Sequence, residues 1–168
     1  MMTRRVLLLA LLLLAGCAYS FPGKGTFPGG VNKLYVPLFK NATSEPLLEN
    51  VLAGRLTEVL ARREGLTLVE QAEEADAVLE GTIRSYRSRA LSYAQNDDIS
   101  EYRSTMIVDV QLMPREGGEA LWKGTVSWDA DYVAADDKAL QEDLEKEAME
   151  ELSLRLSEEL LYKMIDDF

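Results

Sequence analysis

The sequence predicts an α+β fold: two α-helices packed on one face of a mixed, largely antiparallel β-sheet, in the order β-α-β-β-β-β-α. Three observations predict it. Two stretches space their apolar residues by three and four, the signature of a helix with one buried face. Three later stretches alternate apolar and polar residues, as half-buried antiparallel strands do. The first helical stretch lies between two short strand-like runs, which suggests a right-handed parallel crossover.

The first strand is Lys33 to Phe39, with Leu34, Val36 and Leu38 on one side, ending at Pro37 or just after it. Pro46 suits a first helical turn with Ser44 or Glu45 as cap, and Leu47, Val51, Leu52, Leu56, Val59 and Leu60 form an apolar stripe. Gly65 stops that helix after Arg62-Arg63. Leu66 to Val69 is a short strand, and an acidic turn leads into another at Ala77 to Ile83. Thr105 to Met113 places Met106, Val108, Val110 and Leu112 on one face. After the turn Pro114 to Glu119, the run Leu121 to Tyr132 sets Trp122, Gly124, Val126, Trp128, Ala130 and Tyr132 against a wet face that includes Asp129 and Asp131. Asp136-Asp137 then caps a long helix with the stripe Leu140, Leu144, Ala148, Leu152, Leu156, Leu160 and Met164.

The N-terminus carries an address. Arg4 and Arg5 precede an apolar run from Val6 to Ala15, too short for the ~20 residues a bilayer-spanning helix needs. Such a segment reads as a secretory signal peptide. It closes on Leu14-Ala15-Gly16-Cys17, which resembles the bacterial lipobox. That resemblance implies cleavage before Cys17 and acylation of its thiol and freed amine. More than one acyl chain anchors stably, whereas one anchors only marginally. Ala18 stands where an inner-membrane lipoprotein typically carries Asp, so the class resemblance implies the outer membrane. The expected organisation is a cleaved leader at 1–16, a lipidated Gly/Pro-rich tether at 17–32 and a single domain at 33–168. Asn41-Ala42-Thr43 matches a glycosylation sequon but reads as a polar turn.

Composition narrows the function further. Arg4 and Arg5 are the leader's share of the 18 basic residues, so the remaining chain stands at −13 against 29 acids. Such a surface repels nucleic-acid phosphates. The chain has no histidine, and Cys17 is its only cysteine. The usual nucleophilic triads and zinc sites therefore lack their parts. The expectation is a non-enzymatic protein with no cofactor or metal beyond the covalent lipid on Cys17.

One stretch stands apart. Arg84 to Arg103 keeps strand periodicity, but neither face is consistently apolar, so it is expected to project as a hairpin beyond the core. It gathers Arg84, Tyr86, Arg87, Arg89, Tyr93, Tyr102 and Arg103, and is locally cationic on an acidic protein. Arginine and tyrosine are favoured at interfaces, and arginine pairs bidentately with phosphate. These seven residues are the candidate contact surface, for a partner protein or for phosphate groups; a plain surface hairpin is the alternative.

Several blocks resemble one family. They are Cys17-Ala18-Tyr19, Phe27-Pro28-Gly29-Gly30-Val31, and the run from Val36-Pro37-Leu38-Phe39 to Pro46. Downstream come Ala75-Asp76-Ala77-Val78-Leu79-Glu80-Gly81-Thr82-Ile83, the run from Glu101-Tyr102-Arg103 to Val110, and Leu121-Trp122-Lys123-Gly124. In this order they resemble the LptE lipopolysaccharide-assembly lipoproteins over nearly the whole mature chain. The resemblance implies a two-helix, mixed-sheet fold. It also implies a role as plug and assembly partner of the outer-membrane β-barrel protein LptD, with contact to lipopolysaccharide. Asp97-Asp98, near the hairpin tip, departs from the cations the family can carry there, which makes direct lipid contact a weaker expectation than the plug role. The competing readings are a generic outer-membrane lipoprotein scaffold, or a pilotin-like chaperone for another pore, and a lipid-tethered hydrolase.

Overall fold

The computed structural model describes residues 27–94 and 98–166. Its elements are β1 (Lys33–Tyr35), β2 (Lys40–Asn41), α1 (Leu48–Ala61), β3 (Thr67–Val69), β4 (Ala77–Tyr93), β5 (Ile99–Pro114), β6 (Trp122–Val133) and α2 (Lys138–Asp166). Short 3-10 turns lie at Pro28–Gly30 and Ala72–Glu74. The sheet order is β3-β1-β4-β5-β6, with β2 added beside β4. The two-helix α+β fold and the element order therefore follow the sequence closely.

The sheet is mixed, however, and "largely antiparallel" does not describe it. Strand β1 runs parallel to both β3 and β4, and β2 parallel to β4; only β4–β5 and β5–β6 are antiparallel. The cause is the position of β1 between β3 and β4. The chain leaves β1 through α1 to reach β3 on one side, then crosses back past β1 to β4 on the other. Alternation in β4 to β6 revealed the antiparallel pairs, while three-residue strands are too short to show a period.

The core shows why each element forms. Leu34, Leu79, Ile83, Met106, Val108, Leu112 and Val126 from the sheet meet Leu48, Leu52, Leu56 and Leu60 of α1 and Leu152, Leu156, Leu160 and Met164 of α2. Burying each such side chain contributes about 1.5–3 kcal/mol. Asp137 Oδ1 accepts the Leu140 amide at 2.9 Å, so the expected acidic cap starts α2. Leu140 itself is 51% exposed and leaves the expected stripe, which meets the core from Leu144 onward and gains Met149, Ser153 and Ser157.

Local chemistry moves three boundaries. Strand β1 stops at Tyr35, because Pro37 offers no ladder donor. The phase then changes: Phe39 is buried and Leu38 lies exposed, although Leu38 was expected beside Leu34. Phe39 lies across Gly81, where a Cβ would overlap the ring, so the glycine makes room for the aromatic. Helix α1 begins at Leu48, not at the expected Pro46 turn. Leu47 precedes it in the left-handed region at φ 61° with no side-chain cap, and its own side chain is exposed. Asn41 organises that entry instead. Its amide nitrogen donates to the Glu45 carbonyl and to Glu49 Oε2, both at 2.8 Å, and its Oδ1 accepts from Thr43. The Asn-Ala-Thr triplet is thus a polar turn. Finally, Phe27, Pro28 and Val31 are buried, so packed structure begins within the stretch expected as tether.

Candidate functional site: the open face of the β4–β6 sheet

Strands β4 and β5 run 17 and 16 residues, about 50 Å at ~3.3 Å per residue. Their register holds the explanation for the broken apolar pattern. Ile83 pairs with Val108, but Ser85 pairs with Ile107, leaving Arg84 as an extra residue. This bulge flips the alternation. Before it, Leu79 and Ile83 face the helices; after it, Tyr86 and Ser88 do, opposite Met106 and Ser104. Arg84, Arg87 and Arg89 consequently share the other face of the sheet despite their uneven spacing.

That open face is a set of polar rows. Arg103 lies between Arg89 and Asp131, and its Nε and Nη2 donate to the two Asp131 oxygens at 2.6 and 2.7 Å. The guanidinium holds the Asp131 carboxyl below the usual carboxylate range, and the carboxylate raises Arg103 in turn. One row along, Thr105 lies between Arg87 and Asp129, and its hydroxyl donates to Asp129 at 2.7 Å. Asp109 accepts the Thr125 hydroxyl at 2.7 Å and pairs with Arg84 at 3.4 Å. In the hairpin half of the sheet charge is therefore graded, cationic at Arg84, Arg87 and Arg89 of β4 and acidic at Asp129 and Asp131 of β6. Arg87 and Arg89 have no acid partner among the described residues. With Arg84, Ser85, Thr105 and Ile107 they line an open groove of ≈ 470 Å³. A second groove of ≈ 700 Å³ continues the same face toward Leu38, Glu80, Gln111 and Lys123.

The seven candidates do not form one cluster. The four arginines are together, but Arg103 is committed to Asp131 and Arg84 to Asp109. Tyr86 and Tyr102 lie on the opposite, helix-covered face. The Tyr86 hydroxyl meets Ser104 Oγ at 3.1 Å, and burial pushes its pKa up to about 12. Tyr102 stacks on Tyr132 with ring centres 5.4 Å apart, and the Tyr132 hydroxyl meets Ser88 Oγ at 2.7 Å. Those tyrosines extend the core beyond its aliphatic part. Tyr93 is 64% exposed at the end of β4, beside exposed Leu91. Cys17 and Asp97 lie outside the described residues. Asp98 is exposed. The partners Thr105, Asp129 and Asp131 were absent from the candidate set, since only strand register places them beside the arginines.

Among the described residues, no group of three or more histidine, cysteine or acidic side chains is arranged to hold a metal ion, and no helix is long and apolar enough to cross a membrane.

The architecture is one seen in bacterial lipoproteins. A putative lipoprotein from Caulobacter crescentus is 18% identical, with TM-score 0.54 over 76% of this chain and 88% of its own. Lipoprotein B from Nitrosomonas europaea is 14% identical, with TM-score 0.60 over 90% of this chain and 92% of its own. Rare lipoprotein B from Shewanella oneidensis is 18% identical, with TM-score 0.54 over 81% and 96%. At these identities the likeness is one of fold. No curated protein matches the chain. The model of the LptE lipopolysaccharide-assembly family matches residues 31–164, and the chain belongs to that family.

Proposed function

We propose that the protein is an outer-membrane lipoprotein that plugs and helps assemble the LptD β-barrel translocon, which delivers lipopolysaccharide to the cell surface. Cys17 carries the lipid, the domain works on the periplasmic side, and no catalysis is involved. Family membership supports the lipopolysaccharide-assembly role. The observation that carries the reading is the open face of β4–β6. A sheet face that no helix covers among the described residues suits a polar surrounding, and here it offers hydroxyls, carboxylates and Arg87 and Arg89, which have no acid partner among those residues. A barrel lumen presents a polar wall of that kind. We place barrel docking first on this face and contact with lipopolysaccharide phosphates second, because Asp98 is exposed near the hairpin tip.

The test replaces Arg87 and Arg89 together with Ser and measures two properties. Docking predicts that the barrel protein is lost from the detergent-extracted complex, while the lipid-free chain keeps its affinity for lipopolysaccharide. Lipid contact predicts the converse, with binding that weakens as salt shortens screening to ~8 Å. No change in either property would refute a working role for this face.

A further inference from the structure

We infer that the outer edge of β6 is a docking edge for an extended, basic segment of a partner protein, which would add a strand to the sheet. The inference is independent of the barrel-plug reading. Among the described residues, strand β6 ends the sheet order and pairs only with β5. The Ala134 amide donates to the Ser100 carbonyl at 2.9 Å. Antiparallel ladders alternate, so even-numbered residues of β6 bond to β5 and odd-numbered ones turn their N–H and C=O outward. Lys123, Thr125, Ser127, Asp129, Asp131 and Val133 thus present a row of backbone donors and acceptors that bond to nothing among the described residues.

Edges of this length are ordinarily blunted by bulges, prolines or lysines. Strand β6 has twelve residues, no proline, an unbroken register with β5 and one lysine, at its start. The opposite edge, β3, has only three residues. Two features beside the open edge specify the occupant. On the helix side, Trp128 is 39% exposed although its row partner Met106 is fully buried, so the ring offers an apolar seat at mid-strand. On the open face, Asp131 pairs with Arg103 while Asp129 accepts only the neutral Thr105 hydroxyl, which leaves a negative balance along this part of the edge. The acidic helix α2 packs along β6 on the other side. A strand alternating basic and apolar side chains matches both faces. A second copy of this chain does not, since it would bring two acidic helices side by side.

The test uses the detergent-solubilised full chain and a synthetic twelve-residue peptide of alternating lysine and valine, followed by tryptophan fluorescence. Trp122 is buried, so a change in emission reports on Trp128. The expected result is saturable binding that weakens at least tenfold when alternate peptide residues are N-methylated, which removes one edge of donors and keeps the charge. Ser127→Pro removes an outward N–H without touching the β5 ladder and should weaken binding at least tenfold, whereas Ser127→Ala should not. Circular dichroism checks that the proline variant folds; if it does not, the N-methyl comparison decides alone. Equal binding of the two peptides would reduce the effect to bulk charge and overturn the inference. So would a concentration-dependent dimer, seen by sedimentation, that the peptide fails to dissociate.

Discussion

Gly81→Ala should destabilise the domain because it sets a methyl group into the ring of Phe39. The Cβ built at Gly81 falls inside van der Waals contact with three ring atoms, and Phe39 is only 4% exposed, so the ring has no free space to enter. Overpacking of this kind costs about 1–3 kcal/mol. For a domain of this size that lowers Tm by roughly 3–10 °C. Phe39→Ala should cost about 3–5 kcal/mol through the lost burial and the cavity. The informative measurement is the double variant. Once the ring is gone, Gly81→Ala has nothing to strike and should add about 0.5 kcal/mol or less, leaving a coupling of roughly 1–3 kcal/mol between the two sites. Denaturant unfolding of the lipid-free chain followed by circular dichroism gives all three values. A Gly81→Ala chain as stable as the parent, or strictly additive losses, would refute the packing of Phe39 on Gly81.

Further expectations follow from the core, from pH and from the anchor. Leu152→Ala should destabilise by about 2–5 kcal/mol in the same assay, since Leu152 is fully buried between α2 and the sheet, whereas Glu158→Gln on the wet face should change stability by less than about 0.5 kcal/mol. Asp76 accepts the Asn32 and Lys33 amides at 3.0 and 2.8 Å, and these bonds hold its carboxyl below the ordinary value. A depressed carboxyl stabilises the fold above its unfolded pKa and loses that contribution as pH falls through its folded pKa. Asp76→Asn should therefore lower Tm at neutral pH and show a smaller gap to the parent in strongly acidic buffer; a constant gap would contradict this. Cys17→Ser should abolish lipid attachment, read by mass spectrometry of the membrane-extracted N-terminal peptide, and an unmodified thiol on the parent chain would contradict the anchor.

The sequence discloses most where side chains repeat with a period. The stripe of α2 and the alternation of β5 and β6 name their buried residues with few errors, because a buried face selects one class of side chain at fixed spacing. It discloses least where one residue shifts the phase. Arg84 is an extra residue in β4, and from that point the core side passes from odd to even positions. Tyr86 therefore looks like a companion of the arginines in the chain, yet in the fold it lies across the sheet from them, on the same face as Tyr102, which simply continues the even-numbered core side of β5. Pro37 hides Phe39 in a similar way, by ending one strand and restarting another out of phase. The pairing of Arg103 with Asp131 spans two strands 28 residues apart and carries no local signal at all. The parallel pairings of β1 were legible only as a strand–helix–strand order.

If this chain works inside an outer-membrane lipopolysaccharide translocon, its partner should survive extraction of outer membranes in mild detergent and be identifiable on the purified native chain. The LptD β-barrel protein is expected in the same complex, retained through washing and reduced by loss of Arg87 and Arg89. Recovery of the chain alone, or with an outer-membrane pore of another kind, would contradict it.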